Sequence, residues 1–351
     1  MSLQQPFDGT LSVNGGREYQ GEQIPNIFTL ATKELTQDSF FVWLLLWANQ
    51  ANQQVNPELN ETAQEFVRFL IDRDNTYPIV KVNTRRQWKN IDIWAEINDE
   101  YYVCIEDKTN TDAHSDQLAK YKKLVEEHCN GKPHITKFIY LKTGNESTTS
   151  LKVIREKEGY TVRDRKEILQ ILNRHNVKND IFNDFRSYLT ILEDRTASGI
   201  TWQAIIEEKS AAEGFYMKLQ QFITTPTDWN DVSNPTGGFL GFWFHFVHTE
   251  HFSLYIQIEN RIRNKMQVNI KIKNWTPKIE TLHQIFSDLK LMAPKYGLEV
   301  SKPGKYRAGS TSTVATVVSA IPSNLEEKID IHQFAKNLHC IQLLLDDYVK
   351  E

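Results

Sequence analysis

Asp92, Glu106 and Lys108 are the residues of this chain whose types and spacing could do chemistry. Glu106, Asp107 and Lys108 close the run Tyr101 to Lys108, which is apolar up to its last three positions. Side chains on a strand alternate between faces, so Tyr102, Cys104, Glu106 and Lys108 share one face and Ile105 and Asp107 take the other. Asp92 begins an earlier β-rich run, and Asn98-Asp99 between the two runs has the chemistry of a short hairpin turn. Pairing the strands brings the Asp92 carboxylate to the same end of the sheet as Glu106. Two carboxylates on adjacent strands suit a hard divalent cation such as Mg2+ or Mn2+, which takes oxygen ligands and keeps waters and phosphate oxygens in its shell. Such an ion lowers the pKa of a bound water and neutralises charge developing on phosphate. Lys108 can position that water, or deprotonate it if the site depresses its pKa. The chemistry implied is phosphodiester hydrolysis. Read blandly, the same residues are a surface ion pair, because Glu-x-Lys recurs by chance. As a strand-end lysine, Lys108 is expected to be exposed.

The elements around this hairpin must hold it in place. From Thr32 to Asn49 the chain reads as a buried helix whose polar first turn carries Glu34 and Asp38, an i, i+4 pair that fits ordinary acid enrichment at a helix N-terminus. Asn60 to Asp72 is a second helix with Ala63, Phe66, Val67 and Leu70 on one stripe. Pro78 ends it, and a strand follows that leads into a basic turn with Arg85, Arg86 and Lys89. After the hairpin, Ser115 and Asp116 open a helix to about His128, and Ile135 to Thr143 is a buried strand. A strand, crossover helix and strand imply a mixed sheet with helices packed on it. Helices at Arg165 to His175 and Asp180 to Leu192 complete this part.

Composition bounds the rest. With 351 residues, 40% hydrophobic and 25% charged, the chain suits one large or two medium domains. Its formal net charge of -4 excludes a global positive field, so nucleic acid must be met by local basic patches. Cys104, Cys129 and Cys340 are far apart and lack zinc-site pairing, which predicts free thiols in a reducing, cytoplasmic setting. The longest apolar run, Phe40 to Ala48, is about half of what a membrane span needs, and the N-terminus lacks a secretory signal. No phosphate-cradling or dinucleotide-type Gly-rich loop occurs. Thr196 to Gly199 reads as a hinge. Beyond it the chain predicts a helix over 202–222, three consecutive strands within 239–275, a helix over 280–291, a Gly/Lys loop, a strand over 313–321 and a last helix over 325–349. That is a second, α+β domain.

Asp92, then Glu106-Asp107-Lys108, then Gln117 and Tyr121 on the following helix resemble the PD-(D/E)xK nuclease superfamily, in the branch with a Gln-x-x-x-Tyr motif after the catalytic lysine. The helix Glu34 to Ala48 resembles the one that opens many bacterial members. Similarity covers about Asn26 to Leu192. One departure is Ile91, where the family's pattern places Pro before the Asp.

The resemblance implies an α/β, restriction-endonuclease-like mixed sheet flanked by helices in a domain spanning 1–195, with a C-terminal α+β domain over 196–351 for substrate selection or assembly. It also implies Asp92 and Glu106 as ligands of Mg2+ or Mn2+, Lys108 as the water-activating residue, and Glu34 as a further metal-site carboxylate, with Glu65 as its rival. Gln117 and Tyr121, on one helical face, would reach the site or the substrate backbone. The function implied is a metal-dependent nuclease, acting on DNA in bacterial restriction or anti-phage defence, alone, as a homodimer or with a partner protein. An RNA-directed nuclease or toxin, and a nuclease-fold binding module, are the alternatives.

Arg85, Arg86 and Lys89, with Lys302, Lys305 and Arg307 in the Gly/Lys loop, are candidate nucleic-acid contacts. The strand cations Arg261, Arg263, Lys265, Lys271 and Lys273 read first as a solvated sheet face and second as a phosphate-tracking surface. His245, His248 and His251 fall on opposite faces at strand spacing, which disfavours a metal site.

Overall fold

A computed structural model describes residues 10–11, 17–18, 26–31, 34–109, 115–131, 133–234, 237–273, 278–304, 306, 309 and 311–350. The chain divides into two units, one formed by Met1–Asn145 with Lys152–Asp194 and the other by Glu146–Leu151 with Arg195–Glu351.

The first unit opens with two short paired strands, β1 (Thr10–Leu11) and β2 (Arg17–Glu18), where the sequence reads as a loose arm. Helices α1 (Ile27–Leu30), α2 (Glu34–Trp47) and α3 (Pro57–Ile71) follow. Asn56 caps α3 by accepting from Leu59 N at 3.1 Å, and Pro57 takes its first turn, where no backbone N–H is missed. Next in the chain come β3 (Val82–Trp88), β4 (Ile91–Ile97), β5 (Tyr101–Lys108), α4 (Ser115–Cys129), β6 (Ile135–Lys142), α5 (Thr148–Glu156, of which 148–151 count with the second unit), β7 (Thr161–Asp164), α6 (Arg165–Leu172) and α7 (Asp180–Ala197, of which 195–197 count with the second unit).

The strands form one mixed sheet in the order β3-β4-β5-β6-β7, antiparallel through β5 and parallel from β5 to β7. Asn98 and Asp99 both take positive φ, 54° and 53°, and Glu100 N–H closes the turn on Ile97 O at 2.9 Å. Their short polar side chains tolerate that left-handed backbone, and the turn's twist matches that of the strands it joins. Every residue of β5 is buried, because it is the central strand with helices on both sides. On one side, Ile93, Ala95, Val103 and Ile105 pack with Phe41, Phe66 and Phe185 of α2, α3 and α7. On the other, Trp94, Tyr102 and Cys104 meet Tyr121 and Val125 of α4. Phe41, fully buried, has Phe66 and Phe185 within 5.6 Å between ring centroids. Phe41→Ala is therefore expected to lower stability by about 3–5 kcal/mol, read as a shift of the urea midpoint.

The second unit contains α8 (Trp202–Glu207), α9 (Lys209–Leu219), β8 (Thr227–Val232), β9 (Phe239–His248), β10 (Ser253–Arg261), β11 (Lys265–Lys273), α10 (Ile279–Met292), β12 (Val300–Ser301), β13 (Thr311–Val317) and α11 (Ile331–Tyr348). Its strands form a six-stranded antiparallel sheet, β12-β13-β11-β10-β9-β8. Alternate apolar residues, among them Phe242, Phe244, Ile256, Ile258, Val268 and Ile270, bury one face against helical residues such as Phe215, Leu282, Leu338 and Leu345. The fold is thus α/β with a restriction-endonuclease-like mixed sheet and a C-terminal α+β part.

Three further details depart from the sequence expectation. The helix expected over 202–222 is broken at Glu208, whose backbone is extended (φ -117°, ψ 117°). The last helix begins at Ile331, where Asp330 caps it by accepting from Gln333 N at 2.9 Å, and not near Leu325. Elements α5, β7 and β8 occur where no element was expected. All three cysteines are free. Among the described residues, no helix is long and apolar enough to cross a membrane.

Candidate active site

The hairpin register places Ile93 opposite Ile105. Just beyond that last pair come Asp92 and Glu106, whose side chains approach each other. Asp92 is held on both oxygens: Oδ2 accepts from the backbone N–H of Asp107 at 3.1 Å, and Oδ1 from Gln87 Nε2 at 3.2 Å. Glu106 is fully buried. Its Oε1 accepts from Lys108 Nζ at 2.7 Å and from Gln117 Nε2 at 2.8 Å; no N–H reaches Oε2 among the described residues, and the Asp92 side chain lies within hydrogen-bond reach of the carboxyl. Lys108 Nζ also lies 4.0 Å from Asp92 Oδ2.

Lys108 is not the exposed strand-end lysine the sequence suggests, since only 11% of its side chain meets solvent. The covering of β5 on both faces extends to its last residue. Burial works against its ammonium, but the attraction of Glu106, then Asp92 and Glu34, outweighs it, and the Lys108 pKa is raised. The site therefore does not depress the lysine pKa in the way that would make it a ready base. Glu106 moves the same way: burial, with Asp92 adding to it, pushes its pKa up to about 8 against the opposing pull of Lys108.

Gln117 and Tyr121 of α4 come to the site together. The Gln117 amide donates to Glu106 and to Tyr121 Oη at 2.9 Å, and Tyr121 Oη donates to Asn90 O at 2.5 Å. Both side chains thus tie α4 to the hairpin and to the Glu106 carboxylate. Tyr121→Phe removes the bond to Asn90 and one partner of Gln117, for an expected loss of about 1 kcal/mol in chemical denaturation.

Glu34, the first residue of α2, reaches the backbone: its Oε1 accepts from Thr109 N at 3.2 Å, beside Lys108. Among the described residues, the potential metal ligands whose atoms all lie within 4.8 Å of one another are Glu61, Glu65 and His175. Glu34, Asp92 and Glu106 are not drawn together to that degree. Glu65 belongs to the other cluster, paired with Arg174 at 3.1 Å and His175 at 3.2 Å.

Two further carboxyls lie next to the site that sequence reasoning did not assign to it. Asp38 and Asp107 are buried and share a hydrogen bond. Burial raises both; the charge of Asp92 adds to this at Asp38, which reaches about 6, and the charge of Asp38 adds to it at Asp107, the more deeply enclosed, whose pKa lies well above its ordinary value. Gln37 Nε2 donates to Asp107 Oδ1 at 2.6 Å, and Thr143 Oγ1 donates to Gln37 Oε1 at 2.8 Å. This network fixes the back of β5 to α2 and so sets where Glu106 and Lys108 sit on the front. The available signal was the Glu34, Asp38 spacing on one helical face, which fits a helix dipole equally well.

Of the candidate nucleic-acid contacts, Arg86 is committed to α2, donating to Leu35 O at 2.8 Å and lying 4.0 Å from Asp38 Oδ2. Arg85 is exposed, and Lys89 stacks over the Trp88 ring at 4.9 Å. Lys302 is exposed over the Tyr306 ring at 5.2 Å, while Lys305 and Arg307 lie outside the described residues. His245 pairs with Asp346 at 3.0 Å and His248 with Ser253 at 2.8 Å, so these two histidines do not converge.

In chemical terms the site offers two carboxylates of the kind a hard divalent cation takes. Their close approach, with one fully buried, fits such an ion, and an ammonium stands beside both. A family model described as the PD-(D/E)XK nuclease superfamily matches residues 25–211, just over half of the chain. No curated protein and no solved structure matches it.

Proposed function

The chain belongs to the PD-(D/E)XK nuclease superfamily, and we propose that it hydrolyses phosphodiester bonds with Mg2+ or Mn2+, that DNA is its substrate, and that it serves in restriction or anti-phage defence. The observation that carries the reading is the meeting of two acids at the buried strand end: Glu106, fully buried, receives no N–H on Oε2 among the described residues, and the side chain of Asp92 lies within hydrogen-bond reach of its carboxyl. Two buried acids this close cannot both ionise without cost, and a hard cation held by both offsets that cost. Asp92 and Glu106 would hold the ion, which when bound acidifies a water and offsets charge on phosphate.

The remaining work falls to the chain's own groups. Gln117 fixes the Glu106 carboxylate, and Gln87 with the Asp107 N–H fixes Asp92. Held as an ammonium between its carboxylate neighbours, Lys108 orients the attacking water and donates to a phosphate oxygen, a role that needs position and charge rather than basicity. Glu34 steadies Lys108 electrostatically and holds the strand end through Thr109 N.

The test is incubation of the full chain with plasmid, linear duplex DNA, single-stranded DNA and RNA, each in Mg2+, Mn2+ and EDTA. Metal-dependent cutting of DNA ahead of RNA is expected. Cutting of RNA ahead of DNA would overturn the substrate, and no cutting of any substrate would overturn the activity.

A further inference from the structure

The six-stranded sheet of the second unit buries one face against helices. Its other face lines a groove of about 850 Å3. Along β10 and β11 the residues facing this groove include Tyr255, Gln257, Glu259, Gln267, Lys271 and Lys273. The charged residues lining it are Arg261, Lys265, Lys271 and Lys273 against the single carboxylate Glu259, in a chain whose net charge is -4. Glu259 accepts from Lys271 at 2.9 Å, with Arg261 at 3.9 Å, so the floor is ion-paired, while Lys265 and Lys273 stand exposed at the two ends of β11. Those ends are eight residues apart, roughly 27 Å at strand rise.

Aromatic rings occupy the space between. Phe239 and Trp243 lie on this face of β9, and Arg261 sits 5.9 Å from the Phe239 ring centroid. Simple alternation from Phe242 and Phe244, both in the core, would bury Phe246 as well. Instead the register of β9 against β10 shifts between Leu254 and Ile256, and His245 takes φ 55°. A bulge of this kind re-aims the next side chain. Val247 enters the core in its place and Phe246 turns to the open face, 37% exposed, stacked on Tyr255 at 4.7 Å with an interplanar angle of 11°. A non-glycine residue in the left-handed region is strained, and here the strain presents an aromatic ring to solvent, with Lys273 5.7 Å from its centroid.

We infer that this face binds single-stranded nucleic acid, with bases stacking on Phe246 and the neighbouring rings and phosphates tracking from Lys265 to Lys273. Stacking on rings needs unpaired bases, which a duplex hides, and an amide such as that of the half-buried Gln267 tolerates any base edge. A cation span of roughly 27 Å exceeds one nucleotide and suits several stacked ones, at 3.4 Å each along a strand. The inference rests on the second unit alone and does not require that the chain cleave anything.

Fluorescence anisotropy on the full chain in EDTA tests it, using labelled oligothymidylate and oligouridylate of about 15 nucleotides and a duplex of the same length. Both single strands should bind more tightly than the duplex. Phe246→Ala should weaken single-strand binding about 10-fold or more. Lys265→Glu with Lys273→Glu should weaken it further and flatten its salt dependence. Both substitutions are at exposed positions, and unchanged circular dichroism melts show the fold is kept. Equal binding by wild type and variants, preference for the duplex, or competition by thymidine monophosphate at the concentration of the oligonucleotide would each overturn the inference. Because EDTA silences metal-dependent cleavage, failure here leaves the nuclease reading standing, and the reverse holds.

Discussion

Lys108→Met is expected to lower phosphodiester cleavage by about 10²–10⁴-fold while leaving a folded protein. Methionine keeps the aliphatic stem that fills the strand end, so packing survives. What goes is the ammonium 2.7 Å from Glu106 and 4.0 Å from Asp92. Removing one partner of a buried ion pair can cost 3–5 kcal/mol when the other charge is stranded. Glu106 has another course, because its pKa already stands at about 8. It takes up a proton near neutrality, and the expected loss of stability is nearer ~1–2 kcal/mol. Initial rates paired with thermal melts separate the two effects. A variant that cleaves at the wild-type rate would show that Lys108 only balances charge.

Glu106→Gln should abolish cleavage and at the same time make the metal-free protein more stable at alkaline pH. An acid whose pKa is raised in the folded state keeps a proton that the unfolded chain has shed. Its contribution to stability therefore falls as pH climbs from the ordinary value of 4.5 to about 8, and is flat above. At ~1.36 kcal/mol per pH unit the upper limit is roughly 5 kcal/mol. Water at the strand end, where the Asp92 side chain is 17% exposed, brings the expected loss to ~2–3 kcal/mol. Glutamine cannot ionise, so the melting temperature of the variant should rise relative to wild type by about 5–10 °C between pH 5 and pH 8. Asp38, raised to about 6, adds a slope of the same sign in both proteins and cancels in the comparison. Adding Mg2+ at pH 8 should stabilise the wild type and not the variant, since only an ionised Glu106 gives the ion its ligand. This is a trade of stability for function at one residue.

The front of the site was legible because it obeys local rules. Strand alternation alone puts Glu106 and Lys108 on one face, and Asn98-Asp99 states the turn that delivers Asp92. Helical spacing puts Gln117 and Tyr121 on one face, and only the resemblance pointed that face at the site. The back of the site obeys no such rule. That Asp38 and Gln37 meet Asp107 depends on how α2 is rolled against the sheet, and tertiary packing decides that roll. Lys108 was misjudged for the same reason: a strand end is exposed only if nothing covers it. Elements α5 and β7 were missed because Thr148 to Asp164 is short in apolar residues and Thr161–Asp164 is too brief to alternate visibly. The break at Glu208 lies within good helix formers and carries no local signal. Phe246 was hidden by the bulge at His245, which inverts the alternation on which the reading of β9 depends.

The central claim is that Asp92, Glu106 and Lys108 form a metal-dependent phosphodiesterase centre. Cleavage of end-labelled DNA by wild type and Asp92→Asn, in Mg2+ and in EDTA, tests it most directly. The account predicts cutting by wild type in Mg2+ alone and a loss of about 10³-fold or more in the variant, with both proteins equally folded. Cutting that persists in EDTA, or that Asp92→Asn leaves unchanged, would contradict it.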